Sequence, residues 1–370
     1  MLDLKFKIRP GHTSERAWME PSPLKALFWN VTYACNFACP VCFTDAGRRV
    51  EDELSPAEAL AIADAIGEAG VRDVLISGGE PFLRPGLLDL LARMSGQGIS
   101  LRIATNGTLL NDDTLKRLKG ETLTRSFQVS LETTDPLLYA RVHRTSPAMY
   151  KTVREALSKI QAAGFHTTIA ARLTPATLPG IPALFDLAFA EGWPTVTVHL
   201  PVLLRRADET FAQDDDLLGR LDPVFERFAA YPGHWLVESY IPWAEYHPTV
   251  RAWESKIRFV HRGCRAGRDR MTIEPDGGLS PCVCMDVPEA RLGNLRTDDL
   301  RAVFRDAPLL RLFRDPGGLG ICVDCANLRQ CGGGCRAAAL SLTGRIDGMD
   351  LSCPVRKSLA GAVPWPPTGS

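Results

Sequence analysis

The sequence predicts an α/β fold with two regions: six β/α units built on a parallel sheet, then a loop-rich, cysteine-rich C-terminal domain. Three observations predict it. Short apolar, β-branched runs alternate with helical patterns over the first two hundred residues. The segments that follow the first four runs carry chemically distinctive residues. Eleven cysteines fall in two clusters more than two hundred residues apart.

The strand-like runs are "LKALFWNVT" (24–32), "VRDVLIS" (71–77), "SLRIAT" (100–105), "SFQVSL" (126–131), "HTTIAARL" (166–173) and "TVTVHL" (195–200). The clearest helix lies between the first two, "SPAEALAIADAIGEAG" (55–70). Ser55 suits the N-cap, Pro56 the first helical position, and Glu58 completes a capping box. Leu60, Ala63, Ile66 and Ala69 recur at helical spacing and Gly70 ends the run. Further helical patterns cover 86–96, 111–119, 149–163 and 181–191. Repeated β/α units imply a parallel sheet, either a curved partial barrel or a doubly wound sheet. In both, function gathers at the C-terminal ends of the strands. "CNFACPVC" follows the first strand, "GGEP" (78–81) the second and "TNG" (105–107) the third; the fourth ends in "SLE", with Ser130 and Glu132 two apart.

The predicted organisation is an N-terminal extension (1–23), the β/α region (24–205), a connecting region (206–260), a cysteine-rich domain (261–356) and a loose Pro-rich tail (357–370). The aromatic stretch "WLVESYIPWAEYHPTVRAW" (235–253) suits packing between domains or the wall of a substrate pocket. The C-terminal region is poor in periodic apolar pattern and calls for metal staples.

Composition is that of a globular protein, 45% apolar and 23% charged, with 43 basic and 43 acidic residues. The balance gives no reason to expect nucleic acid or an anionic membrane as partner. No apolar run is long enough to span a membrane, and the charged N-terminus is no signal peptide. An odd cysteine count with tight CxxC runs favours thiolate metal sites in the cytoplasm over a secreted disulfide framework.

The first cluster, Cys35, Cys39 and Cys42, has three cysteines with no fourth nearby; the next is Cys264. Three thiolates can hold three irons of a cubane and leave the fourth iron open. An open position marks a catalytic metal site. A zinc site with a distant fourth ligand and three unrelated core thiols remain alternatives at this point.

The spacing Cys-x3-Cys-x2-Cys after the first strand, with "GGEP" and "TNG" after the next two, resembles the radical S-adenosylmethionine (SAM) superfamily over about residues 24–200. The resemblance implies a partial barrel. It also implies a 4Fe–4S cluster whose unique iron is chelated by the amino and carboxylate groups of SAM. Reductive cleavage of SAM then yields a 5′-deoxyadenosyl radical that takes a hydrogen atom from a C–H bond. Glu80 would bind the SAM ammonium. Gly78 and Gly79 would let a ligand approach the backbone. Phe37 would flank the adenine, or simply pack in the loop. Asn106 would line the site, or be an ordinary turn residue. Ser130 and Arg144 would contact the ribose or carboxylate. Here the chain departs from the family, since "SLETT" and "HRT" stand where many relatives read Ser-x-Asp-Gly and an Arg-Gly pair.

The second cluster reads Cys264-x12-Gly277-x4-Cys282, then Cys322-x2-Cys325-x5-Cys331-x3-Cys335, then Cys353. It resembles the seven-cysteine SPASM extension of radical SAM enzymes, which binds two auxiliary 4Fe–4S clusters. By that resemblance Cys264, Cys282 and Cys335 hold the first, and Cys322, Cys325, Cys331 and Cys353 the second. Cys284, outside the pattern, would complete the first set, or donate a hydrogen atom to a substrate radical; an iron left open to substrate is the third possibility. "CVDCANLRQCGGGC" also suits a zinc ribbon.

Within the family, "TYACNFACPVCFTDAGRR" and "CRAGRDRMTIEPDG" are similar to segments of the mycofactocin maturases, which oxidatively decarboxylate and crosslink the end of a short peptide. "GGCRAAAL" is shared in part with haem-modifying relatives. The expected function is thus oxidative peptide maturation in natural-product or cofactor biosynthesis. A radical dehydrogenase or epimerase of a small sugar or antibiotic intermediate is the alternative, and a non-catalytic iron–sulfur or zinc scaffold a third reading. The expected partners are a flavodoxin- or ferredoxin-like electron donor and a small-molecule or short-peptide substrate. About two dozen residues precede the first strand, too few for a fused peptide-recognition domain, so a peptide would come on a separate protein.

Overall fold

The computed structural model describes residues 22–40, 42–47, 50–199, 220–230, 234–238, 249, 252–253, 264–325, 328–350 and 353. Most of the N-terminal extension, most of the aromatic stretch at 235–253 and the tail at 357–370 lie outside the described residues.

Six strands match the six expected: β1 (Ala26–Thr32), β2 (Asp73–Gly78), β3 (Ser100–Thr105), β4 (Thr124–Ser130), β5 (His166–Arg172) and β6 (Thr195–His199). Each pairs in parallel with the next. The strict sequential order decides between the two architectures left open by the pattern. A doubly wound sheet reverses its strand order at a switch point, and this sheet has no reversal among these strands. It is a partial barrel. Trp29 and Val31 of β1, Ile76 of β2 and Leu101 and Ile103 of β3 are fully buried, as strands sandwiched in an α/β fold require.

The connecting helices are α1 (Pro56–Glu68), α2 (Leu87–Gly96), α3 (Asp112–Glu121), α4 (Pro136–His143), α5 (Ala148–Ala162) and α6 (Ile181–Ala190). The capping box of α1 is present: Ser55 accepts from the Glu58 amide and Glu58 accepts from the Ser55 amide. Its buried stripe is Ala59, Ile62, Ala63 and Ile66, whereas Leu60 and Ala69 are only half-buried. Steps of three residues alone turn back by about 60° each, so three such steps drift off one face; mixing three and four keeps it. The unexpected helix is α4, whose eight residues "PLLYARVH" are too few to show a period.

The sheet continues past both predicted domain boundaries. After α7 (Asp222–Ala229), strand β7 (His234–Glu238) in the connecting region pairs in parallel with β6. On the other side β8 (Arg270–Ile273), from the cysteine-rich domain, pairs in parallel with β1, Ala26 opposite Arg270. β9 (Gly278–Ser280) and β10 (Gly293–Asn294) extend the sheet as antiparallel strands. One apolar core runs through both regions, since Met271, Ile273, Leu279 and Met285 join the cluster that contains Trp29 and Ile62. The rest of the C-terminal domain is short helices and turns: α8 (Leu300–Asp306), α9 (Leu310–Arg314), α10 (Leu328–Cys331) and α11 (Arg336–Thr343).

Candidate active site

The parallel order puts the C-terminal ends of β1 to β4 along one rim, and the cysteine loop leaves the first of them. Two glycines set how closely this loop packs. A Cβ on Gly78 would lie 2.3 Å from the Thr32 carbonyl oxygen, and one on Gly79 2.2 Å from that of Ala34. Gly78 also has φ +124°, in the region that favours glycine. The close approach is thus by the chain's own cysteine loop. Gly79 N donates to Thr32 O at 2.7 Å and Glu80 N to Ala34 O at 2.8 Å.

Glu80 is fully buried. The Thr105 hydroxyl lies 2.8 and 2.9 Å from its two oxygens, the Asn106 amide donates to Oε2 at 2.8 Å and the Phe82 amide to Oε1 at 3.2 Å. All these partners are neutral. Burial outweighs them and pushes the carboxyl up to about 7. A buried carboxylate met only by neutral donors suits a cationic ligand, which would restore its charge. The Asn106 side chain donates to Asn36 Oδ1 at 2.7 Å and its own Oδ1 accepts from Thr108, so it ties the "TNG" turn to the cysteine loop.

No disulfide joins any of the eleven cysteines, all of which are among the described residues. Cys35, Cys39 and Cys42 lie close enough to affect one another's charge, and Glu80 acts on Cys35 in the same way. Burial pushes Cys35 up to about 12. Cys39 differs. Burial opposes its ionisation, but His143, with Arg172 adding to it, holds the thiol below its ordinary value. His143 Nδ1 lies 3.2 Å from Cys39 Sγ, and Nε2 lies 2.6 Å from Glu132 Oε2. Burial works against the His143 cation, yet Glu132 and Cys39 raise it to about 10. Glu132 likewise stays below the usual carboxylate range despite burial, held there chiefly by His143.

Phe37 packs in the core, 6.4 Å edge-on from Tyr139 and 5.3 Å from the His143 ring. Ser130 ends β4, paired with Ala170. Arg144 caps α4 on an exposed turn with φ +46°.

The thiols of the C-terminal domain form two groups. Cys282 is pushed well up by a hydrogen bond with Cys284, then by burial, then by the nearby charges of Cys284, Cys335 and Cys264. These four are one group. Cys331 is pushed up to about 12 by burial, with Cys353 and Cys322 adding to it, and Cys325 acts in turn on Cys322. These four are the second. Among the described residues no three such side chains close on one point as the ligands of a single ion do. A cubane asks for less, since its own irons and sulfides hold the thiolates apart.

A buried polar bridge joins the barrel to the C-terminal domain, and no sequence motif announces it. The Tyr33 hydroxyl, two residues before Cys35, lies 2.7 Å from both Glu274 Oε2 and Asp286 Oδ2. Asn30 donates to Glu274 at 2.8 Å, Ser280 donates to it at 2.5 Å, and Arg291 pairs with Asp286. Burial, then Asp286, pushes Glu274 up to about 7. One O–H donates to one acceptor at a time, so the Tyr33 hydroxyl serves one carboxyl or the other.

Comparison with known proteins agrees with this geometry. Residues 29–182 match the radical SAM superfamily, and residues 264–326 match the SPASM iron–sulfur cluster-binding domain. The chain is 29% identical over 336 residues to the mycofactocin maturase MftC of Mycobacterium ulcerans, covering 88% of this chain and 87% of that protein. It is 26% identical over 345 residues to the PqqA peptide cyclase of Gluconobacter oxydans, covering 90% and 91%. Its fold is similar to SuiB of Streptococcus suis, solved with S-adenosylmethionine, with TM-score 0.70 at 22% identity over 90% of this chain and 77% of that one. Among the described residues no helix is long and apolar enough to cross a membrane. Open thiol triplet, buried Glu80, partial barrel and two groups of four thiols lead to one conclusion: the chain belongs to the radical SAM superfamily and carries a SPASM domain, its cofactors being S-adenosylmethionine and 4Fe–4S clusters.

Proposed function

We propose that the protein is a radical SAM oxidoreductase that matures a short peptide, in the manner of the mycofactocin maturases and PqqA peptide cyclase it is similar to. The observation that carries the reading is the juxtaposition of three thiols with a buried carboxylate that has only neutral donors. When bound, the clusters and SAM supply an electron to the sulfonium, a 5′-deoxyadenosyl radical that takes a hydrogen atom, and a sink for the electron the substrate gives up. The chain's own residues hold these groups. Cys35, Cys39 and Cys42 would hold the SAM-binding cluster. Glu80 receives the ammonium, and Thr105 and the Asn106 amide keep the carboxylate aimed. Cys264, Cys282, Cys284 and Cys335 hold the first auxiliary cluster, and Cys322, Cys325, Cys331 and Cys353 the second. Thiolate clusters of this kind suit the cytoplasm, with a flavodoxin- or ferredoxin-like protein as reductant.

The test is anaerobic reconstitution followed by dithionite and SAM. 5′-Deoxyadenosine is the expected product. With a peptide deuterated at its terminal residue, deuterium should enter that product and the peptide should lose CO2. No 5′-deoxyadenosine from fully loaded protein defeats the enzyme reading. Formation without deuterium transfer from any peptide, but with transfer from a sugar, moves the substrate to the small-molecule class.

A further inference from the structure

The two segments that depart from the family's sequence pattern meet in one contact, between Glu132 and His143. Glu132 stands just beyond β4, in "SLETT". His143 is the last residue of α4, in "HRT". Each side chain is 2% exposed, so water does not take the place of either partner. The imidazole spans from the Glu132 carboxyl to the Cys39 sulfur, 2.6 Å on one side and 3.2 Å on the other. The backbone fixes this arrangement, because Ala38 N donates to the His143 carbonyl at 3.3 Å. The Phe37 and Tyr139 rings hold the imidazole at 5.3 and 4.3 Å.

Proton counting gives the direction of the bond. A thiolate that ligates iron carries no proton and only accepts. Nδ1, within hydrogen-bond distance of it, must then carry the hydrogen, since a bare nitrogen would set lone pair against lone pair. This holds whether the remaining proton sits on Nε2 or on the Glu132 carboxyl. We propose that His143, oriented by Glu132, is a positioning residue that donates an Nδ1–H···S bond to the Cys39 thiolate and makes the SAM-binding cluster easier to reduce. The proposal rests on Cys39 being an iron ligand. Hydrogen bonds to cluster sulfurs stabilise the extra negative charge of the reduced form and raise its potential. The position of the donor strengthens the effect, since both side chains are buried and the surroundings are dry. The other two sulfurs have weaker company. Cys35 accepts from the Phe37 amide at 3.4 Å, and Cys42 meets the Thr44 hydroxyl at 3.3 Å and the Ala46 amide at 3.4 Å.

The experiment uses loaded enzyme labelled with imidazole-15N histidine. Pulsed EPR of the reduced cluster, identified by the change in its signal on adding SAM, should show a 15N coupling. His143→Leu should abolish the coupling and leave about twelve irons in place. At a fixed applied potential its ratio of reduced to oxidised cluster should fall about tenfold, ~59 mV for a one-electron couple. His143→Asn, which returns an N–H near the Nδ1 position, should recover most of that ratio. Absence of the 15N coupling in the unsubstituted enzyme overturns the proposal and does not depend on any variant folding. An unchanged ratio in iron-replete His143→Leu overturns it as well. The two readings fail separately. If replacing Cys35, Cys39 and Cys42 with Ala removes no iron, Cys39 is no ligand and the site reading has failed. Normal iron loss in that variant with no histidine coupling defeats the His143 assignment alone.

Discussion

At the scale of single residues, Glu80 ties pH to cofactor binding. Its carboxyl titrates near 7 in the folded protein, against an ordinary value of 4.5. Below about pH 4.5 it is neutral folded or unfolded. Between 4.5 and 7 the unfolded chain releases the proton first, so this group's contribution to stability falls as pH rises and stays low above 7. An ammonium ligand needs the ionised form, so SAM affinity should drop as pH falls through 7, by up to about tenfold per unit. Glu80→Gln should flatten that profile and weaken SAM binding about tenfold to a hundredfold, from the ~1.5–3 kcal/mol of a charge-assisted hydrogen bond. Calorimetric titration across pH checks both. Cys284→Ala makes a second residue-scale case. As a ligand it should render about four of twelve irons labile to a chelator. Full iron retention would return Cys284 to the role of hydrogen donor or packing residue. Both residues were legible in the sequence because their signals are local: a motif, and a cysteine two places from another. Glu132 stood out beside Ser130, but its pairing with His143 was not legible, because two residues eleven apart, one on a loop and one at a helix end, have no spacing rule that joins them.

Elements were read best where their signals were local. Ser55 and Glu58 announced the start of α1, and the capping box is there. Ser55→Ala should cost about 1 kcal/mol. Hydrogen exchange should show it as roughly fivefold faster exchange of first-turn amides that open locally, a factor set by RT. No change would mean that tertiary packing alone holds the helix end. The "GGEP" turn was found for a reason that proved incomplete. Its glycines leave room for the cysteine loop, and that demand depends on a strand some forty residues earlier in the chain. Gly79→Ala should therefore push the two loops apart, cost about 1–3 kcal/mol as overpacking does, and lower iron loading at the first site. Urea unfolding and iron analysis check the two effects. The short helix α4 was invisible to pattern, since eight residues are too few to establish a helical period, and β7 lies where the aromatic stretch was read as packing between domains or a pocket wall.

For the whole molecule, the expectation of two successive domains understated their union. β8 occupies the edge of β1, and the Tyr33, Glu274 and Asp286 bridge is buried across the same boundary. Apolar periodicity is silent about this, since pairing partners that distant leave no mark on local sequence. A chain ending at residue 260 should accordingly be poorly soluble, with β1 a bare edge. Size-exclusion chromatography would show aggregates; a soluble monomer that still binds about four irons would mean the barrel stands alone.

The pairing of β1 with β8 also has a consequence in time. Asn30 and its partner Glu274 are 244 residues apart. At about 5–20 residues per second, a ribosome needs roughly ten to fifty seconds to make the second after the first. For that interval the strand that launches the catalytic loop has one side without its neighbour, and oxygen-sensitive thiols wait beside it. The loop that carries Cys35, Cys39 and Cys42 thus gains its complete sheet only after β8 has been made.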